Sequence, residues 1–151
     1  MDFSIRQLEA NDFTENSGFV STMANMSDIS DLDLAKLKDI WQKAKSQDVY
    51  FLVAVSKEQD SKDQIVATVK LLIEPKFFHG GRAAGHIEDV VTRLGFEGNG
   101  LAKALLKEAI EIARKNNCYK IILDCKKELE TFYNKVGFKN HDICMRLDLN
   151  N

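Results

Sequence analysis

The sequence predicts an α+β fold: one mixed, mostly antiparallel sheet with a central parallel βαβ unit and flanking helices. Three observations carry this. The chain has 151 residues, the length of one ordinary domain, so residues 1–151 are expected to share one core. Hydrophobic residues make up 44% and charged residues 29%, with one proline and eight glycines, a balance that excludes a disordered tail, a collagen-like repeat or a coiled rod. Short apolar runs alternate with segments of helical period in the order β-α-α-β-β-β-α-β-α-β, with no repeat, linker or low-complexity stretch.

Phe3 to Leu8 alternate apolar and polar side chains, the pattern of a half-buried strand. From Asn11 or Asp12 the spacing of Phe13, Phe19, Val20 and Met23 predicts a first helix, interrupted by Gly18. Ser30 stands three residues before Asp33 as a carboxylate variant of the capping box, and Leu34, Leu37, Trp41 and Ala44 then recur at helical spacing to about Lys45. Val49 to Val55 and Ile65 to Ile73, joined by the polar stretch Lys57 to Asp63, read as an antiparallel hairpin that Pro75 ends. His86 to Val91 is the next strand. A turn with Gly95, Gly98 and Gly100 follows, and Leu101, Leu105, Ala109, Ile112 and Ala113 then form one helical stripe. Asn116 and Asn117 tolerate the left-handed backbone of a helix stop, and Tyr119 to Leu123 is nearly continuously apolar, as in a parallel strand covered on both faces. Glu128 to Val136 reads as a short helix closed by Gly137, and Ile143 to Leu149 as a last alternating strand.

Lys plus Arg number 21 against 23 Asp plus Glu, so no global positive field exists to hold nucleic acid or an anionic membrane. Any anionic ligand must be met locally. Cys118, Cys125 and Cys144 are an odd count without a C-x-x-C spacing, which argues against a disulfide framework or a zinc site and predicts small, reduced core residues and no metal. The first residues lack a basic segment followed by an apolar run, and no uncharged apolar stretch reaches the roughly 18 residues that span a bilayer. The expectation is a soluble, cytoplasmic protein.

The segment Arg93-Leu-Gly-Phe-Glu-Gly-Asn-Gly-Leu-Ala102 joins a strand to a helix start. Glycines let successive backbone N–H groups converge, and the helix dipole adds a partial positive charge, so a phosphate or pyrophosphate suits the site, with Lys103 and Arg93 able to add charge. The same glycines also permit a mere tight turn. No Gly-Lys-Ser/Thr follows, and the spacing and position do not fit a dinucleotide fingerprint. Glu97-Gly-Asn-Gly-Leu-Ala102 resembles the turn of the GNAT acetyltransferase superfamily, Gln/Arg-x-x-Gly-x-Gly/Ala, in all but its first residue. Gly85-His-Ile-Glu-Asp-Val90, Cys118-Tyr-Lys-Ile-Ile-Leu-Asp-Cys125, Phe132-Tyr133 and Lys135-Val-Gly-Phe138 extend the likeness, which is strong from Lys76 to Phe138, toward the members that acetylate glucosamine 6-phosphate.

That resemblance implies a GNAT fold, acetyl-coenzyme A as cosubstrate, the 2-amino group of glucosamine 6-phosphate as acceptor, a step in UDP-N-acetylglucosamine synthesis, and a two-fold homodimer formed through the end of the chain. It implies a cradle for the coenzyme pyrophosphate at Gly98, Asn99, Gly100, Leu101, Ala102 and Lys103, with Val90 or Val91 polarising the thioester carbonyl through a backbone N–H. Tyr133 would protonate the leaving thiolate, or be only a packed ring. Glu88 would take the amine proton and Asp89 hold a sugar hydroxyl, or either would be in a structural ion pair. Asp124 would orient or deprotonate the amine, or cap the next helix. Lys76, His79, Tyr119 and Lys120 would meet the sugar phosphate, joined by Arg146, which lies near Asp148 where the family carries a basic residue. Leu129 replaces an asparagine that commonly contacts the coenzyme, and the family's first-helix threonine corresponds to Thr22, Ala24 or neither. Acetylation of another small amine and a non-catalytic coenzyme-binding role are the competing readings.

Overall fold

β-Branched and aromatic residues concentrate in five stretches, and each becomes a strand of one sheet. The computed structural model describes residues 1–57 and 63–149. Strands β1 (Phe3–Gln7), β2 (Val49–Ser56), β3 (Gln64–Glu74), β4 (Ala83–Thr92) and β5 (Cys118–Ile122) lie in the order of the chain. β1 to β4 pair antiparallel, and β4 pairs parallel with β5, the arrangement expected of a βαβ unit. The hairpin is β2 with β3; of its polar connection, residues 58–62 lie outside the described residues.

Alternation along β2 and β3 sends side chains to both faces. Leu52, Ala54, Val66, Val69 and Leu71 pack with Ile87 of β4 against α3 (Leu101–Lys115), whose Leu105, Leu106, Ala109 and Ala113 are fully buried. Val53, Val55 and Ile65 pack on the opposite face with Phe19 of α1 (Phe19–Met23) and Trp41 of α2 (Leu34–Lys45). Gly85 lets α3 and β5 approach β4: a Cβ there would sit 3.2–3.6 Å from Leu71, Ile121 and Ala113.

Several expectations need correction. The first helix does not run from Asn11 or Asp12. Ala10–Asp12 is a single 3-10 turn, because the Asp12 carboxylate accepts two bonds from Arg6 and one from the Glu9 N–H, and α1 begins only after Gly18 at φ +81°. The cap of α2 is Asp33 itself, whose Oδ1 accepts the Lys36 N–H at 2.7 Å; Ser30 has no part in it. The expected helix from Glu128 to Val136 divides into a 3-10 turn, Lys127–Leu129, and α4, Glu130–Asn134. Two of the cysteines are not core residues: Cys125 and Cys144 are exposed, whereas Cys118 is half-buried and packs against the core, and all three are free.

The largest departure is at the end of the chain. Ile143 to Leu149 is not a strand; residues 139–149 are an exposed arm paired to no strand of its own sheet. A strand requires a partner for its N–H and C=O groups, and the alternating Ile143, Met145, Leu147 and Leu149, each 84–87% exposed, have none within the described chain. Among the described residues no helix is long and apolar enough to cross a membrane.

Candidate active site

β5 pairs along its whole length, but only with the beginning of β4. Pairing runs from Ala83↔Cys118 to His86↔Ile122, and beyond it β4 continues from Ile87 to Thr92 with no strand on that side. Asp89, at φ +51°, breaks the β3–β4 register between Thr68 and Lys70, and this bulge bends β4 where it parts from β5. Val90 and Val91 therefore lie on a strand whose outer edge is open. Val91 is buried and Val90 half-buried, so their backbone, not their side chains, is offered there.

β4 leads into the glycine turn. Gly95, Gly98 and Gly100 adopt φ of +87°, +78° and +78°, conformations that side chains with a Cβ rarely take. α3 begins at Leu101 with Gly100 as its cap, and among the described residues no side chain caps its first turn, so the N–H groups of Leu101, Ala102 and Lys103 could receive an external anion. Leu101 is buried and offers only its backbone; Lys103 is exposed. Nothing lies within 4 Å of a Cβ built on Gly98 or Gly100, so the cradle has room beside it, and a diphosphate fits this donor set. Arg93 is bonded to Ser21 at 3.2 Å and Gln64 at 2.7 Å and fastens α1 to β3; both partners are neutral, and its guanidinium lies 4.8 Å from the ring of Phe96 in the turn, so its charge stays beside the turn.

On the other side of the divergence lies a groove of about 1050 Å³ between β5 and the start of the arm, walled by Asp124, Cys125, Tyr133, Phe138 and Cys144. Tyr133 is 7% exposed, with its ring edge-on to Phe132 at 5.0 Å and Phe138 at 6.0 Å. Its hydroxyl bonds to no protein group among the described residues, and burial, helped by the nearby Cys125, raises its pKa above the ordinary tyrosine value. It therefore stays protonated at neutral pH and able to donate.

Asp124 and Glu88, both exposed, come together around Cys144. The Cys144 thiol donates to Asp124 Oδ2 at 3.2 Å, and Asp124 and then Glu88 push the thiol pKa up, as carboxylates around a developing thiolate must. Sequence reasoning missed Cys144; its only signal was the alternation that sets it beside Arg146 on one face of the arm. His79 stacks on Tyr119 with centroids 4.0 Å apart, and Lys120 Nζ lies 5.5 Å from the same ring, so the half-buried Tyr119 gathers the exposed His79 and Lys120 into one cluster.

The remaining charged candidates are occupied within the chain. Asp89 holds Lys70 at 2.5 Å. Lys76 lies 2.5 Å from Glu74, which also meets His86 Nε2 at 2.6 Å, and Lys76 followed by His86 pulls the Glu74 carboxyl below its usual range. Arg146 pairs with Asp148 at 2.6 Å on the arm. Thr22 is fully buried, with Oγ1 2.8 Å from the Gly18 carbonyl and 2.9 Å from that of Ile65, and so secures α1.

The model of the family described as the acetyltransferase (GNAT) family matches residues 6–138. The chain belongs to the GNAT acetyltransferases. Members of this family use acetyl-coenzyme A, in keeping with the uncapped cradle at α3. This acetyltransferase is 37% identical to a Trypanosoma brucei brucei protein named glucosamine 6-phosphate N-acetyltransferase, over 99% of this chain and 97% of that one. Its structure is similar to that of a Trypanosoma brucei acetyltransferase, with a TM-score of 0.87, 36% identity and coverage of 98% and 100%. It is also similar to glucosamine-6-phosphate N-acetyltransferase from Arabidopsis thaliana, with a TM-score of 0.89, 31% identity and coverage of 99% and 100%. The GNAT fold implied by the resemblance of Glu97 to Ala102 and the flanking motifs is thereby borne out. Among the described residues no cluster of His, Cys, Asp and Glu is arranged to hold a metal ion.

Proposed function

We propose that this acetyltransferase moves the acetyl group of acetyl-coenzyme A to the 2-amino group of D-glucosamine 6-phosphate, giving N-acetyl-D-glucosamine 6-phosphate and coenzyme A. The carrying observation is similarity over nearly the whole chain to a relative named for that reaction. Residues 1–151 act as one domain, in the cytoplasm, and the product supplies UDP-N-acetylglucosamine synthesis.

The chemistry needs a neutral amine, a polarised carbonyl and a proton for the departing thiolate. Glu88 or Asp124 accepts the amine proton; their shared surroundings at Cys144 support a role for the pair at one reacting centre. The amine nitrogen bonds to the thioester carbon while the carbonyl oxygen is held by the N–H of Val90 or Val91. As the intermediate collapses the C–S bond breaks, and Tyr133 gives its proton to the sulfur. The diphosphate lies on the N–H groups from Gly98 to Lys103. His79, Tyr119 and Lys120 receive the sugar phosphate. Lys76 and Arg146 join them only by exchanging Glu74 and Asp148 for the substrate, and Asp89 reaches a sugar hydroxyl while keeping Lys70.

The arm supports a homodimer. β5 ends the sheet with an open edge, and the groove beside it has the walls of a strand-binding slot, so the alternating apolar arm of a second copy fits there.

The test compares kcat/KM for glucosamine 6-phosphate and free glucosamine. Each charge-assisted bond to a phosphate contributes about 1.5–3 kcal/mol, so losing two lowers kcat/KM at least roughly a hundredfold. Equal efficiency would leave the fold and coenzyme in place but make the acceptor another small amine.

A further inference from the structure

The Glu97 carboxylate is bonded within the glycine turn that leads into α3. Its Oε2 accepts the Gly95 N–H at 2.7 Å, folding the side chain back over two residues. Asn99 Nδ2 donates to the carbonyl oxygens of Phe96 at 3.1 Å and Glu97 at 3.3 Å, and the Phe96 N–H meets the Arg93 carbonyl at 3.0 Å. Gly95, Gly98 and Gly100 separate these bonds, all at positive φ and all without an atom within 4 Å of an added Cβ. Packing therefore does not hold the turn at its glycines; Phe96 anchors it to the core under the Arg93 guanidinium, and polar contacts hold the rest, among which Glu97 supplies a carboxylate to the Gly95 N–H. The same carboxylate leaves a full negative charge beside a cradle whose N–H groups await an anion.

We propose that Glu97 is a positioning residue that sets coenzyme affinity: as an acceptor it braces the glycine turn through Gly95, and as a fixed charge it weakens the hold on the coenzyme's diphosphate. This rests on the reading of the turn as the diphosphate site. The two contributions oppose each other and separate by substitution. Glu97→Gln keeps a carbonyl oxygen for the Gly95 N–H and removes the charge, whereas Glu97→Ala removes both.

Equilibrium binding tests this, using calorimetry with coenzyme A and competition by pantetheine, which carries the thiol arm without phosphates. Glu97→Gln is expected to bind coenzyme A about three- to tenfold more tightly at low salt, the scale for one exposed charge acting across a protein surface, with the gain shrinking near half-molar salt. Glu97→Ala gains less than Glu97→Gln because its turn is unbraced, and pantetheine affinity is unchanged in both. Coenzyme A affinity of Glu97→Gln within twofold of the native chain, equal tightening for pantetheine, or identical behaviour of the two variants overturns the proposal. If the native chain binds coenzyme A no better than pantetheine, the diphosphate reading falls instead, and the proposal with it.

Discussion

Tyr133 meets two demands with one side chain: its ring fills space against Phe132 and Phe138, and its hydroxyl reaches the groove without a protein partner among the described residues. Tyr133→Phe keeps the packing and removes the proton, so kcat should fall by about a hundredfold or more while the thermal midpoint barely moves. Unchanged turnover would leave Tyr133 as a packed ring. The pH profile follows from the sign of its shift. An acid works while protonated, and burial places this hydroxyl above the ordinary tyrosine value of about 10, so its loss can produce a descending limb only above that pH. Between about pH 6 and 9 the rate should rise as the acceptor amine, and a carboxylate if it is the base, lose their protons. A flat profile there would show that proton removal does not limit the step.

Elements place these residues through long-range contacts, and Gly18 illustrates the tolerance. A Cβ at Gly18 would lie 2.6 Å from the Ile65 carbonyl oxygen and 2.7 Å from Arg93 Nη1, on a backbone at φ +81°. Gly18→Ala should therefore cost at least about 1–2 kcal/mol, read as a lower denaturant midpoint with an unchanged slope. A neutral result would mean that α1 shifts freely on β3. The sequence shows Gly18 only as an interruption of a helical pattern, because its reason is a carbonyl 47 residues away in the chain. The βαβ unit was legible for the opposite reason: strand run, glycine turn, amphipathic stripe and apolar run are each local signals. The proposed cradle at residues 98–103 is likewise contiguous. The contacts Lys70–Asp89, Glu74–His86 and Lys76–Glu74 join positions whose residue types alone do not reveal their partners, and Cys125 and Cys144 lie outside the core because they follow β5, the last strand of the sheet.

At the scale of the whole molecule, the arm from 139 to 149 is an unfinished piece of structure. Its alternation is that of a strand with one apolar face, and Ile143, Met145, Leu147 and Leu149 stand in solvent with no strand beside them. β5 presents the complementary lack: the last place in the sheet, an outer edge without a partner among the described residues, and a groove of about 1050 Å³ alongside. One chain cannot satisfy both while the start of its own arm forms the far wall of that groove, but two copies related by a two-fold axis can exchange arms, each closing the other's edge. Light scattering at micromolar concentration should then give twice the 17.1 kDa of one chain. Leu147→Asp combined with Leu149→Asp, which puts two carboxylates on the apolar face of the arm, should return the mass to that of one chain without unfolding it, since neither residue belongs to the buried core. A native chain that scatters as 17.1 kDa under the same conditions would mean that the arm stays solvated and that the site is complete within one protomer.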